Sequence, residues 1–326
     1  MEKAWEANSE EDTDNEMVQA SMETYSFPLI GPAGKNLISP CRIAVSRTGE
    51  FLICDPISYF LVIYNKNGDF LSHFSTLPVK SFYVFLNMDV YQPHDVGWLS
   101  TKKIVFTKPA GCKICISDWK GNVTTCIQGR PLYEPYGLAV DDTDKIFVTD
   151  RKKGRILCYS AEGKLLQSIG SFSSSTNILS SPLSIAIDHM SNLVIGDFDK
   201  GRMFMHIYRR NGDVLESITI NDSPVSEERY SNITVTESGY ILLSDTVSGT
   251  VLVLSADKLN GEESRRKKEI KLAEKLAGIT YIPDKRQLVY IDQSHMAVYL
   301  QPWQPASEMN GIITPGNETP EFPLKD

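Results

Sequence analysis

Apolar residues in this chain fall in short runs separated by glycine and polar residues, and within many runs apolar and polar positions alternate with a period of two. The stretch Glu134 to Gly170, EPYGLAVDDTDKIFVTDRKKGRILCYSAEGKLLQSIG, shows the pattern most fully. GLAV ends in acids, KIFVTD alternates, RILCYS follows a polar turn, and KLLQSIG follows Glu162-Gly163. Branched and aromatic residues fill the runs, which predicts short β-strands joined by tight turns.

The same grammar returns at PCRIAVSRTGEFLICD, PHDVGWLSTKKIVFTKP, PLSIAIDHMSNLVIGD, YSNITVTESGYILLSD and LAGITYIPDKRQLVYID, each followed by a further strand-like run. Asn67-Gly68, Lys120-Gly121 and Asn211-Gly212 occupy the position of Glu162-Gly163, where a hairpin needs a positive φ. Successive copies are offset by about 42 to 53 residues, the period of a four-stranded propeller blade. The expectation is all-β: a six-bladed β-propeller, with blades near 39–76, 86–128, 134–170, 180–222, 228–257 and 276–304. The sixth copy lacks an outer strand, and TYSFPLIG at 24–31 is the strand that would close the ring. Residues 1–23 and 305–326 read as polar tails, disordered by composition. Lys258 to Lys275 reads as a surface helix or loop insertion.

Composition changes this picture in three ways. Residues 1–23 hold eight acids and one lysine, so −7 of the formal −8 sits there and the body is close to neutral. That excludes a strongly basic nucleic-acid binder by net charge. The acidic N-terminus resembles neither a secretory nor a transit peptide, and no apolar run reaches membrane-spanning length, so a cytoplasmic chain making no membrane contact is expected. Six cysteines then read as reduced thiols; Cys112-x-x-Cys115 has zinc-type spacing without a partner pair. Asn122, Asn232 and Asn317 stand in Asn-x-Thr sequons that read as chance matches without an export signal.

Pro-x-Gly-Leu-Ala-Val-Asp, followed by Ile-x-Val-x-Asp and Gly-Arg-Ile, resembles the NHL repeat over roughly residues 24–304, best in the third and fourth copies. Gly154-Arg155 and Gly201-Arg202 stand where the repeat usually has Asn before Arg. The resemblance implies four-stranded NHL-type blades like those of tripartite-motif proteins. It also implies a recognition module in a ubiquitin-ligase-like or post-transcriptional setting, and equally admits peptide-amidating lyases and metal-dependent hydrolases.

Aligning the copies places Cys41, His94, Tyr136, Leu183, Ser231 and Ala277 around the mouth of the channel. Arg42, Asp95, Gly137, Ser184, Asn232 and Gly278 come one step further in. A zinc lyase needs three ligands, and only His94 with Asp95 stands in register; a calcium site would want more inward oxygens than Asp95 and Asn232. No cofactor is therefore expected, and the chain is expected not to be an enzyme. The strand-end acids Asp55, Asp150, Asp197, Asp245 and Asp292, with Lys108 in the second copy, are expected to cap turns. The expected binding face carries Arg42, His94, Lys108, Tyr136, Arg151, Lys152, Lys153, Arg155, Lys200 and Arg202. A protein or peptide partner is expected there, with single-stranded RNA as the alternative and a lyase or lactonase as the rival reading. A monomer is expected, with the acidic tail free to screen the basic face.

Overall fold

The computed structural model describes residues 24–77, 92–170, 179–221, 223–227, 229–255, 265 and 267–303. Its 24 strands form six antiparallel four-stranded sheets. Blade one is β2 (Arg42–Val45), β3 (Phe51–Asp55), β4 (Phe60–Tyr64) and β5 (Phe70–Ser75), from the channel outwards. Blade two is β6 (Val96–Trp98), β7 (Ile104–Lys108), β8 (Lys113–Ser117) and β9 (Val123–Gln128). Blade three is β10 (Pro135–Val140), β11 (Ile146–Asp150), β12 (Arg155–Tyr159) and β13 (Leu165–Ile169). Blade four is β14 (Pro182–Ile187), β15 (Leu193–Asp199), β16 (Arg202–Tyr208) and β17 (Val214–Thr219). Blade five is β18 (Tyr230–Val235), β19 (Ile241–Asp245), β20 (Thr250–Leu254) and β21 (Lys267–Lys271). Blade six is β22 (Leu276–Ile282), β23 (Gln287–Asp292), β24 (Ala297–Pro302) and, on its outside, β1 (Tyr25–Pro28). The innermost strands β2, β6, β10, β14, β18 and β22 each touch the next, and β22 touches β2, so the ring is closed.

Position in the blade explains the residue pattern. Second strands are packed on both faces by neighbouring blades, so FLICD, IVFTK, IFVTD and ILLSD are buried throughout. Outer strands face solvent on one side; VTTCIQ in β9 and VLESIT in β17 alternate accordingly. The segment expected as a helix or loop instead supplies β21, pairing Ile270 with Val251 and Lys268 with Val253. Its lysines suit an edge strand, where charge discourages pairing with another chain; the Glu/Lys mix imitates a solvated helix because both are exposed polar surfaces. Residues 256–264 and 266 of that stretch, the tails 1–23 and 304–326, and with them the Asn317 sequon, lie outside the described residues.

The closing strand is held by shape. β1 pairs with β24 in the register Tyr25↔Leu300 to Pro28↔Ala297. Phe27 is buried against Phe51 and Tyr64, with ring centroids 5.0 and 5.3 Å away. Gly68, at φ +80° in the β4–β5 turn, lies against the same ring, and a Cβ there would overlap the Phe27 side chain. The seam between the chain's two ends therefore needs glycine for backbone conformation and for space.

One polar device recurs at the end of the second strand. Asp55 accepts hydrogen bonds from the Ile38 and Ser39 N–H groups at 2.6 and 3.1 Å. Asp150 accepts from Glu134 N–H at 3.0 Å, and Asp197 from Ser180 and Ser181 at 2.9 and 2.8 Å. In each case the donor lies in the segment leading into the innermost strand. Asp245 instead binds the Arg229 side chain from that segment, at 2.7 Å, and also caps its own turn through Val247 and Ser248. Asp292 bonds its turn alone, through Ser294 and His295. The expectation of turn capping thus holds for Asp245 and Asp292 and in part for Asp55, which also takes Ser58 N–H. Asp150 and Asp197 act mainly as staples across the blade.

Gly68→Ala is expected to lower the melting temperature through crowding against Phe27 and loss of the positive-φ residue, by about 1–3 kcal/mol of stability. Asp197→Ala, which strips the Ser180 and Ser181 N–H groups of their acceptor, is expected to cost about 2–3 kcal/mol in urea unfolding. Unchanged urea midpoints would refute either assignment.

Candidate active site at the mouth of the channel

A cavity of about 340 Å³ runs along the axis, walled by innermost strands from all six blades. These strands begin with irregular register in blades three to six, between Pro135 and Leu138, Pro182 and Ser184, Tyr230 and Asn232, and Leu276 and Ile279. A hydroxyl one residue before the strand-end Asp or Lys pins several of these starts. Thr107 Oγ1 accepts Asp95 N–H at 3.0 Å, Thr149 Oγ1 accepts Gly137 N–H at 2.8 Å, and Ser244 Oγ accepts Asn232 N–H at 3.2 Å. Gly137 packs edge-on against blade four; a Cβ there would meet the Leu183 carbonyl at 2.7 Å.

Five of the expected residues converge beside this opening. Arg42 is 4 % exposed, and its Nε has no hydrogen-bond partner; Asp95 Oδ1 lies 3.7 Å away. Asp95 itself is committed to backbone: Oδ1 takes Val96 N–H at 2.9 Å and Oδ2 takes Leu138 N–H at 2.8 Å. Burial raises its carboxyl above the ordinary value despite Arg42 and those two bonds. His94 packs on Tyr136, with ring centroids 3.7 Å apart and the planes tilted by 38°. The His94 Nδ1 is shut off from solvent and has no partner among the described residues. Burial, then the charges of Arg42 and Arg151, hold this imidazole well below its ordinary pKa, against a hydrogen bond to the Tyr136 backbone. It is neutral near pH 7 and able to accept a proton. Arg151 lies over the Tyr136 ring, 5.2 Å from its centroid, and pairs with Glu134 at 3.3 Å and with Glu227. Cys41 stands next to Arg42, its thiol lowered by a hydrogen bond with Cys54.

The other expected face residues are dispersed. Lys108 is buried, with Nζ donating to the Thr76 carbonyl at 2.8 Å. Arg155 is tied to Asp150 at 3.0 Å and to the Pro131 carbonyl, and Lys153 lies 4.3 Å from the Tyr133 ring centroid. Lys152, Lys200 and Arg202 are exposed. Glu134 and Glu227 were invisible to sequence reasoning because they come from different blades and match no repeat position. The Thr or Ser before the strand-end residue was the legible signal, present in KIFVTD, YILLSD and KIVFTK.

No three His, Cys, Asp or Glu side chains among the described residues are placed to share a metal ion. Asp95 spends its oxygens on N–H groups, Asn232 Nδ2 reaches the Ala277 carbonyl at 3.4 Å, and the intervening positions are Leu183 and Ala277. The donor set does not fit a divalent cation. Cys112 is exposed while Cys115 is buried opposite Cys126, so the CxxC pair does not converge either.

No protein-family model and no curated protein matches the chain. Among solved structures it is similar to a gluconolactonase from Xanthomonas campestris, at 13% identity and TM-score 0.60, covering 87% of this chain and 92% of that one. It is also similar to virginiamycin B lyase from Staphylococcus aureus, at 15% identity and TM-score 0.57, covering 87% and 89%. A luciferin-regenerating enzyme matches at 10% identity and TM-score 0.58, covering 87% and 96%. At such identities the likeness establishes the fold, a six-bladed propeller, and no NHL family match accompanies it. The expectation that the chain is not an enzyme is corrected by these neighbours, which are enzymes. That expectation came from counting metal ligands. Among the described residues no helix is long and apolar enough to cross a membrane.

The depressed His94 pKa has a pH signature. With the folded value below the unfolded one, His94 contributes stability that is complete above about pH 6.5 and is lost as pH falls below it. His94→Gln is expected to flatten the fall in urea stability below pH 6.5; an unaltered slope would show that His94 titrates normally.

Proposed function

We propose that this propeller is an enzyme of the lyase or lactonase kind, acting on a small cyclic ester or related carbonyl compound at the channel mouth. The observation that carries this reading is the neutral His94 imidazole, fixed on Tyr136 between two guanidiniums. In it, the neutral His94 imidazole accepts the proton, either from a carbon next to a carbonyl or from an attacking water. Arg42, buried and under-satisfied, stabilises the negative charge that develops on the substrate oxygen; in a water-poor site such a charge counts for more than at the surface. Asp95 positions Arg42, and Glu134 and Glu227 position Arg151. The reading of the substrate class rests on likeness to the neighbours named above, a gluconolactonase and a lyase for virginiamycin B.

The test is turnover by the full chain of glucono-lactone and of quinupristin, the compound bound in one similar lyase structure. Hydrolysis or ring opening of one of them is expected, with kcat/KM about 10²–10⁴-fold lower in His94→Gln at unchanged melting temperature. Turnover of neither compound, or turnover that survives His94→Gln, would defeat the proposal.

A further inference from the structure

A second cavity lies at the other end of the ring. About 600 Å³ in volume, it sits where the turns after the innermost strands of blades one, two and three meet. That volume falls in the range of pockets that hold drug-sized ligands. It shares Val45, Trp98 and Val140 with the axial channel but includes none of the His94 group. Trp98, Val140, Ile63 and the half-exposed Leu71 and Trp119 give it apolar walls. Large apolar side chains left in the open around a concavity mark a binding surface more than a solvated one.

Charge around the rim is uneven. Glu50, Asp141, Asp142 and Asp144 face Arg47 and Lys102, so the lining is net negative by two. Several of these groups are committed within the protein. Lys102 pairs with Glu50 at 3.7 Å, Asp141 with Arg210 at 3.2 Å, and Asp144 accepts Ser100 N–H at 2.7 Å. Arg47 donates to the Asp142 backbone carbonyl at 2.7 Å, and Asp142 is exposed at the rim. Trp119 already holds a cation near its ring, Lys120 Nζ at 5.4 Å.

We propose that this pocket is a second ligand site, independent of the His94 group, for a small molecule with a flat apolar body and a protonated amine. The body would lie between Trp98 and Trp119, and the ammonium would meet Asp142 at the acidic rim. Aromatic walls with carboxylates favour a cation over an anion of the same shape.

The probes are 2-phenylethylammonium and 3-phenylpropionate, alike in size and opposite in charge, titrated calorimetrically into the full chain. The cation is expected to bind at least about tenfold more tightly than the anion, the equivalent of ~1.4 kcal/mol. Trp119→Ala, at an exposed turn position, is expected to weaken the cation about tenfold, and Asp142→Asn to narrow the gap between the probes. His94→Gln is expected to leave both affinities unchanged, which separates this site from the proposed catalytic one. Equal affinity for the two probes, or cation binding indifferent to Trp119→Ala, would overturn the proposal. So would binding that appears only once residues 1–23 are deleted, since that outcome assigns the pocket to the chain's own N-terminal segment.

Discussion

The architecture depends on a carboxylate buried at the end of the second strand. A propeller blade is a twisted sheet that could pair in register yet swing relative to its neighbour. Asp55, Asp150 and Asp197 oppose this by fixing, each within its own blade, the connecting backbone that enters the innermost strands of blades one, three and four. Charged acceptors make stronger hydrogen bonds than neutral ones, and burial makes the loss of one costly. Because the stapled backbone leads directly into the mouth positions, the same bonds decide where Cys41, Tyr136 and Ser184 stand. Blade two inverts the polarity: Lys108 donates back to Thr76 of blade one, and burial pushes its amine below the ordinary value.

That internal demand for charge reshapes the surface. A row of cations looks like a binding face when written along the sequence. In three dimensions Lys108 and Arg155 are spent on carbonyls and on Asp150, and Arg151 on two glutamates. Arg42 differs because Asp95, the carboxylate beside it, already serves two backbone donors. The result is a buried guanidinium near a neutral imidazole, the pair on which the proposed proton transfer and oxyanion stabilisation rest.

Much of the fold was legible without coordinates. Strand alternation, the glycine turns and the repeat period identified six four-stranded blades, and TYSFPLIG stood out because the sixth blade lacked a strand. The outer strand of blade five was not legible, since KKEIK carries a single apolar residue, Ile270, and an exposed edge strand need not show more. At the mouth, repeat alignment selected His94, Arg42, Asp95 and Tyr136 together. It could not show that Glu134 and Glu227 flank Arg151, or that Trp98 and Trp119 share a pocket with turns from three blades.

Local pattern, then, determined the blades, their number and the closure of the ring, because the period of two and the turn residues act over a few positions. Only the tertiary structure decided which charges remain available and which side chains meet. Those outcomes depend on burial and on distances between blades, and residues far apart in the chain acquire both only when the ring is formed.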